Sequence, residues 1–506
     1  MKVTIMDTTL RDGEQTSGVS FTENEKLQIA HLLLEELKVD RIEIASALVS
    51  EGEFLAVQKI VAWAMKHDVL DKIEILGFVD GNRSLNWIQS AGAKVINLLC
   101  KGSEKHCTHQ LRKTLEEHLA DVKTVLHNAR KKGIQANIYL EDWSNGMRNS
   151  PDYVFALVEG LRHEGIGHFM LPDTLGVINP DEVGSFCSAM IERFPDLNFD
   201  FHAHNDYDLA TANVYAAVKA GITGIHTTLN GLGERAGNVS LSSVVGVVKD
   251  HLKREMSIDE KKLYKVCRMV ESFSGIRIPS NKPLIGEFVF TQTSGIHADG
   301  DHKNNLYFND LHPERFSRKR SYALGKLAGK ASIRKNLEEL GIDLDVESMK
   351  LLTKRINELG DKKEMVTQED LPYIISDVLK DGKIAQHIKI RNYSLSVAAG
   401  LQSVATLSIQ IAGKIYEETA SGDGQYDAFM NALDIIYVKL KKKQPKLVDY
   451  VVTIPPGGKT DALCHTTITW ELDKRQFKTN GLDSDQAIAA IKATIKMLNQ
   501  IESKKD

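Results

Sequence analysis

The chain has 506 residues, 42% hydrophobic and 26% charged, with a formal charge of -4 at neutral pH and five cysteines. Such a length exceeds what one hydrophobic core organises, so two or three domains of an ordinary globular kind are expected. The small net charge argues against a general nucleic-acid or membrane-binding surface, although "FSRKRSYALGKLAGK" (316–330) is a local basic stretch. Cys100, Cys107, Cys187, Cys267 and Cys464 are an odd, sparse set without a CxxC pair, which favours a reducing compartment over a disulfide frame. The start, "MKVTIMDTTL", lacks a signal-peptide apolar core, and no run approaches the ~20 apolar residues of a membrane span. A cytoplasmic protein is the expectation.

From residue 3 to about 250, short β-branched runs alternate with longer helical patterns. The predicted strands are "VTIM", "RIEIA" (41–45), "KIEILGF" (72–78), "KVINLL" (94–99), "QANIYL" (135–140), "GHFML" (167–171), "NFDFHAH" (198–204) and "GIHTTL" (224–229). Between the first two, residues 22–37 read as a helix, with Thr22 and Glu25 as a capping box and apolar residues at Leu27, Ala30, Leu34 and Leu37. Eight strand-helix units in this length fit a (β/α)8 TIM barrel better than an open doubly wound sheet. The barrel domain is assigned to residues 1–256. In that fold chemistry collects where strands end, so the charged stretch "MDTTLRDGEQ" (6–15) brings Arg11, Asp12 and Glu14 to the catalytic mouth.

Residues 257–388 read as a helical linker region, interrupted by the glycine-broken interval "TQTSGIHADGDHKNNLY" (291–307), taken as a functional loop. Residues 389–506 read as a separate α/β domain. Two of its segments, "KIYEETASGDGQYDAFMNALDII" and "RQFKTNGLDSDQAIAAIKATIKML", each run strand, Gly/Asp turn, helix, about 60 residues apart, which suggests an internal duplication. Only the tail "SKKD" looks disordered.

In "NFDFHAHND", period-two alternation sends His202 and His204 to one face of strand seven. The inward face of a TIM strand is normally filled by branched apolar side chains, so two imidazoles there need a reason. Two histidines and a carboxylate make a divalent-metal site, and Asp12 is placed to complete it. Such donors suit zinc, manganese, iron or cobalt more than calcium. After strand eight, "NGLGERAGN" (230–238) has glycines for tight turns and Asn238 with a carbonyl oxygen to offer.

Together and in this order, "LRDGEQ", "HxHND" and "GxGERxGN" closely resemble the acyl-CoA condensing enzymes of the isopropylmalate, citramalate and homocitrate synthase family, named for a DRE-type motif on strand one. The likeness spans the whole chain. It implies condensation of acetyl-CoA with a 2-oxo acid and hydrolysis of the thioester, with a divalent metal (Zn, Mn, Mg or Co) held by Asp12, His202, His204 and Asn238. Arg11 would stabilise negative charge on the ketone oxygen. Glu141, ending strand five in "IYLEDW", is the best barrel candidate for the base that deprotonates the acetyl methyl. Tyr139, on the same strand face, resembles the family's substrate-contacting tyrosine, and Thr174 in "LPDTLG" the residue that hydrogen-bonds the substrate carboxylate.

The linker segment "SGIHADGDHKNNLY" resembles one that enters the neighbouring subunit's active site. His297 would act there as acid or base in trans, supported by Asp299, Asn305 and Tyr307, and a homodimer would be part of the mechanism. Asp142, Asp173 and Asp206 are left as structural groups. The family divides by the side chain of the 2-oxo acid, read by residues ending strands three and four, here Leu76 and Leu99. Two leucines disfavour the second carboxylate that homocitrate synthesis must accommodate and match the pyruvate pocket of citramalate synthases of the spirochaete type. "EILGFVDGN", "YLEDWSNG" and "FTQTSGIHADGD" strengthen that likeness. Isopropylmalate synthesis from 2-oxoisovalerate is the alternative.

The C-terminal domain would then sense an end product, isoleucine for the first route and leucine for the second. A carboxylate could sit at the helix start in "SGDGQYDAF" or on the loop "PPGGKTDA" (455–462). A catalytically dead amino-acid-binding scaffold would predict a damaged metal set or a missing His297, and neither is seen. The related hydroxymethylglutaryl-CoA lyases lack the extended C-terminal domain.

Overall fold

The computed structural model describes residues 2–361, 366, 368–379, 388–454, 464–473 and 475–502. The loop 455–462 and the tail 503–506 lie outside the described residues. The chain forms two compact units, Met1–Phe290 with Phe308–Arg320, and Thr291–Tyr307 with Ser321–Asp506. Among the described residues no helix is long and apolar enough to cross a membrane.

The first unit is a closed parallel barrel of eight strands in sequence order. They are β1 (Thr4–Asp7), β2 (Arg41–Ser46), β3 (Ile73–Phe78), β4 (Val95–Lys101), β5 (Gln135–Glu141), β6 (Phe169–Asp173), β7 (Phe199–Ala203) and β8 (Gly224–Thr227). β1 closes the barrel by pairing with β8 as well as β2. Each predicted strand is present, with ends shifted by one or two residues. The predicted helix at 22–37 starts as read: Thr22 Oγ1 accepts the Glu25 N–H, and Glu25 Oε2 accepts the Thr22 N–H at 2.8 Å. Its regular part is Glu23–His31, and Leu32–Glu36 continues as a wider π turn. Helix Glu260–Ser274 sends Leu263, Val266, Cys267 and Val270 into the barrel's hydrophobic core.

The barrel interior departs from the apolar layers expected of such folds. Arg41 and Glu43 on β2, Glu74 on β3, Asn97 on β4, Asn137 on β5, Asp200 on β7 and His226 on β8 form a connected polar filling. Arg41 pairs with Glu74 at 2.8 Å and with Asp200, and His226 Nε2 lies 3.3 Å from Asp200 Oδ2. Asn137 Nδ2 donates to Asn97 Oδ1, and Asn97 Nδ2 to Glu43 Oε1. Buried charges persist when each finds a partner, and here each does.

In the second unit, residues 291–307 are a correction to the loop expectation. A two-residue strand β9 (Thr291–Gln292) pairs with β10 (Ser321–Tyr322), and Gly295–His302 is an α-helix. Its glycines serve packing rather than turning: a Cβ on Gly295 would lie 2.9 Å from Gly329 Cα, and one on Gly300 2.4 Å from the Tyr307 ring. Helices Lys330–Glu339, Val346–Asp361 and Leu371–Leu379 share a small core around Ile333, Leu352 and Leu371.

The suggested duplication is present as two βββα modules. β11 (Ile388–Ser396), β12 (Ser403–Ile411) and β13 (Lys414–Gly422) form one antiparallel sheet followed by helix Gln425–Lys439. β14 (Lys446–Thr453), β15 (Cys464–Leu472) and β16 (Arg475–Asp483) form the other, followed by Gln486–Glu502. Both helices contribute to one hydrophobic core, through Phe429, Leu433 and Ile436 and through Ile491, Met497 and Leu498. Gly422, the last residue of β13, and Gly481, two residues before the end of β16, are both positions where helix backbone comes against the strand. A Cβ would fall 2.4 Å from Ala428 N in the first and 1.8 Å from Ala489 O in the second.

Candidate active and metal site

After β1 the chain winds around one carbonyl: the N–H groups of Arg11, Asp12 and Gly13 all donate to Thr8 O, at 2.8 to 3.1 Å. This turn presents Arg11 and Asp12 together. The guanidinium contacts Asp12 Oδ2 through Nη1 at 2.9 Å and Glu43 Oε2 through Nε at 2.5 Å, and donates through Nη2 to the Tyr139 hydroxyl at 3.1 Å. Burial would lower the Arg11 pKa, but Glu43 and Asp12 raise it above its ordinary value, and the group stays cationic. Glu14 faces elsewhere. It accepts the Phe21 N–H and, with Glu53, pairs with the buried Lys26.

His202 ends β7's inward row and His204 follows it, with Nε2 atoms 3.3 Å apart. Asp12 Oδ2 lies 3.2 Å from His202 Nε2 and 3.9 Å from His204 Nε2. Burial pushes both imidazoles down to about 4, so both are neutral at physiological pH. Burial would raise the Asp12 carboxyl, but Arg11 and the histidines hold it far below the usual carboxylate range. Asn238 reaches the same place because its backbone bridges His204 across the loop after β8, and its Nδ2 donates to Leu232 O.

Asp12, His202 and His204 are the group among the described residues with the geometry to hold a metal ion. Two donors each about 2.1 Å from a common ion stand roughly 3.0 to 3.5 Å apart, close to the spacings seen here. Asp12 Oδ1, His202 Nδ1, His204 Nδ1 and Asn238 Oδ1 are buried without a hydrogen-bond partner among the described residues. The orphaned Asp12 Oδ1 and Asn238 Oδ1 acceptors, with an anionic carboxylate and two neutral imidazoles whose Nε2 atoms face one another, fit a divalent cation.

Tyr139 is buried on β5, its hydroxyl 3.1 Å from His226 Nδ1 as well as from Arg11. It packs with Met6, Leu76 and Met170 in a small apolar cluster separate from the main core, with Leu99 partly buried against it. Glu141, at the end of β5, pairs with Lys101 at the end of β4. Thr174 Oγ1 accepts the Asp142 N–H at 2.9 Å, and Thr174 O accepts from Arg235 Nη2. Arg235 also pairs with Asp206, which ties the "HND" and "GER" segments together. Asp142 and Asp173 are held by local hydrogen bonds, to Ser103 and to the Val177 and Ile178 N–H groups. A cleft of about 680 Å3 opens beside Arg11, lined also by Glu14, Gln15, Phe21, Ser46 and Ser50 but by none of Asp12, His202, His204 and Asn238.

His297, Asp299, Asn305 and Tyr307 belong to the second unit. The His297 and Tyr307 rings stack at 4.2 Å, and His297 Nδ1 lies 3.3 Å from Gln292 Oε1. Asp299 pairs with Lys303, and Asn305 has a left-handed backbone with its N–H on Asp301 O. At the helix start in "SGDGQYDAF", the Asp427 carboxylate accepts the Asp423 N–H.

Sequence reading missed Glu43, Lys101 and His226. The signal for Glu43 was present in "RIEIA": strands of a parallel barrel are covered on both faces, so polar residues alternating with isoleucine indicate a polar interior.

Family models match in three consecutive blocks: "HMGL-like" over residues 2–270, "Homocitrate synthase post-HMGL domain-like" over 284–364 and "LeuA allosteric (dimerisation) domain" over 365–502. The (R)-citramalate synthase of Methanocaldococcus jannaschii is 32% identical over 99% of this chain and 100% of its own length. The 2-isopropylmalate synthase of the same organism is 32% identical over 100% of this chain and 96% of its own. Among solved structures, the HMG-CoA lyase of Bacillus subtilis is 25% identical over 55% of this chain and 95% of its own, with a TM-score of 0.45. The chain belongs to the HMGL-like family and, along its full length, to the same group as these citramalate and 2-isopropylmalate synthases.

Proposed function

We propose that the protein is an acetyl-CoA-dependent acyltransferase that condenses acetyl-CoA with a 2-oxo acid and hydrolyses the thioester, and that its 2-oxo acid is pyruvate, making it an (R)-citramalate synthase of isoleucine biosynthesis. The observation that carries the condensation is the buried Asp12–His202–His204–Asn238 donor set beside a doubly paired arginine. The choice of pyruvate rests on Leu76 and Leu99, which pack with Met6, Tyr139 and Met170 in one apolar cluster; a pocket narrowed by two leucines favours a methyl over an isopropyl group.

Asp12, His202, His204 and Asn238 would hold the divalent ion, which supplies Lewis-acid polarisation of the ketone when bound. Arg11, fixed by Glu43 and Asp12, directs its positive charge at the ketone oxygen as negative charge develops there. Thr174 keeps a hydroxyl proton to donate to the substrate carboxylate, and Tyr139 bounds the substrate pocket. Glu141 takes a proton from the acetyl methyl, whose carbon then bonds to the ketone carbon. His297 of a second copy, with Asp299, Asn305 and Tyr307, moves the proton to the new hydroxyl, so the working form is a homodimer. The βββα pair receives the feedback effector, isoleucine. Five free, buried thiols suit a reducing compartment, and the cytoplasm is the proposed location.

A second reading, 2-isopropylmalate synthesis from 2-oxoisovalerate in leucine biosynthesis with leucine as effector, is favoured by one observation: relatives of both names match at the same identity. Initial rates of free-CoA release from acetyl-CoA, with divalent metal and pyruvate, 2-oxoisovalerate or 2-oxoglutarate, separate the two by kcat/KM. Pyruvate is expected to lead. A 2-oxoisovalerate preference would overturn the pocket argument, and no release with any of the three would overturn the condensation.

A further inference from the structure

Glu141 and Lys101 are register partners on β5 and β4, and Lys101 Nζ donates to Glu141 Oε2. The lysine side chain is 9% exposed and the glutamate 24%, so the ammonium is nearly withdrawn from water while the carboxylate is the wetter partner. Withdrawing a lysine costs hydration and side-chain entropy, which a merely structural position at the end of a strand would avoid with an apolar residue.

The lysine backbone is anchored on both sides. Its N–H donates to His118 Nε2 at 3.1 Å, and its carbonyl accepts the Tyr153 hydroxyl at 3.0 Å. One residue on, the Gly102 N–H donates to Glu141 O at 2.7 Å, and a Cβ on Gly102 would fall 2.4 Å from Leu140 O. The two strands therefore approach here as closely as only glycine allows, and the ammonium is delivered to Glu141 by a fixed backbone.

The neighbouring titratable groups leave this pairing intact. On β4, burial pushes the Cys100 thiol well up, and it stays neutral. On helix Leu115–Lys131, burial lowers His118 to about 4. On helix Pro151–Leu161, burial raises the Tyr153 phenol. Beyond β5, Asp142 is engaged by Ser103 and approached by His106 Nε2 at 3.6 Å, and at the end of β6 burial raises the Asp173 carboxyl.

We propose that Lys101 is a positioning residue for Glu141, fixing one carboxylate oxygen and aiming the oxygen that Lys101 does not bind at the methyl group of the acetyl donor. This rests on Glu141 as the base. In the step, the methyl C–H bond breaks, its electron pair stays on carbon to attack the ketone, and the proton goes to Glu141 Oε1. Lys101 keeps its proton throughout.

The test is kcat and KM for the full-length wild type, Lys101→Met, Lys101→Arg and Glu141→Gln, each checked by thermal melting. Lys101→Met is expected to lose at least about tenfold in kcat with an unchanged KM for the 2-oxo acid, because misaiming a reacting group costs rate rather than binding. Lys101→Arg should recover most of that loss. A kcat within about threefold of wild type in Lys101→Met, a loss carried by KM, or an arginine variant as impaired as the methionine one would overturn the proposal. Should Lys101→Met fail to fold, Lys101→Gln replaces it with the same criteria. Glu141→Gln is expected to be inactive. An active Glu141→Gln would instead overturn the assignment of the base, whatever the lysine variants do.

Discussion

Replacing Leu76 by alanine is expected to move the substrate preference from pyruvate toward 2-oxoisovalerate. Leu76 is 6% exposed, and its side chain fills a cluster of four buried residues that stands apart from the main core. The isopropyl group of 2-oxoisovalerate exceeds the methyl of pyruvate by two carbons. At about 0.8 kcal/mol per buried carbon, accommodating both gains about 1.6 kcal/mol, or roughly fifteenfold in the ratio of kcat/KM values. Relief of steric exclusion adds to this, since one methylene in a pocket discriminates by about 1 to 3 kcal/mol. The cost in stability is about 2 kcal/mol, the low end for leucine to alanine, because the cluster is small. Free-CoA release at subsaturating 2-oxo acid gives both kcat/KM values, and a urea melt gives the stability. A ratio within threefold of wild type, or a parallel fall in both rates, would refute the assignment of Leu76 to the substrate pocket.

Glu43→Ala leaves Arg11 with one carboxylate and Asn97 Nδ2 without its acceptor, so a loss of about 3 to 5 kcal/mol is expected in urea denaturation, and less than half of that for Glu43→Gln. A saturating divalent ion at a hundred times its Kd should stabilise the wild type by about 2.7 kcal/mol. Thermal melts should show that gain abolished in Asp12→Ala and His204→Ala and retained in Asp206→Asn. Burial pushes the Asp7 carboxyl up to about 6 from its ordinary 3.8. The native state then binds the proton more tightly than the unfolded chain, so stability falls as pH rises from about 4 to 6, by roughly 3 kcal/mol. Asp7→Asn keeps an acceptor for the Thr9 N–H and a donor for Thr227 Oγ1. It should therefore exceed wild type by about that amount at pH 8 and match it at pH 4, in urea melts at the two pH values.

The barrel was legible because each strand is a short β-branched run set between helical patterns, and such runs carry their own boundaries. Asp12, His202 and His204 were legible because period-two alternation puts both histidines on the inward face of β7, where apolar side chains are the rule, and a carboxylate follows β1. Glu43 and Asp200 sit inside strands, and there a polar residue looks the same in sequence whether it faces solvent or a buried partner; only the closure that sets β2 against β7 through Arg41 separates the two. Lys101 was hidden for a related reason, since its pairing depends on the register between β4 and β5. Residues 295–302 were read as a loop because glycine weakens helices, yet here Gly295 and Gly300 permit close packing that outweighs the weak propensity.

The loop after β8 holds Gly231, Gly233 and Gly237 at positive φ, with Asn230 and Arg235 also left-handed. A Cβ on Gly237 would fall 2.0 Å from Gly231 O, and one on Gly233 2.3 Å from Asn238 Nδ2. None of these three glycines can take a side chain without moving the loop that carries Asn238. Leu76 and Leu99, by contrast, lie in strands whose backbone is secured by neighbours on both sides, so their side chains can vary without disturbing the frame. The two regions differ in evolvability: new 2-oxo acid preferences are open to selection at side chains within β3 and β4, while the β8 loop holds the shared chemistry constant beneath them.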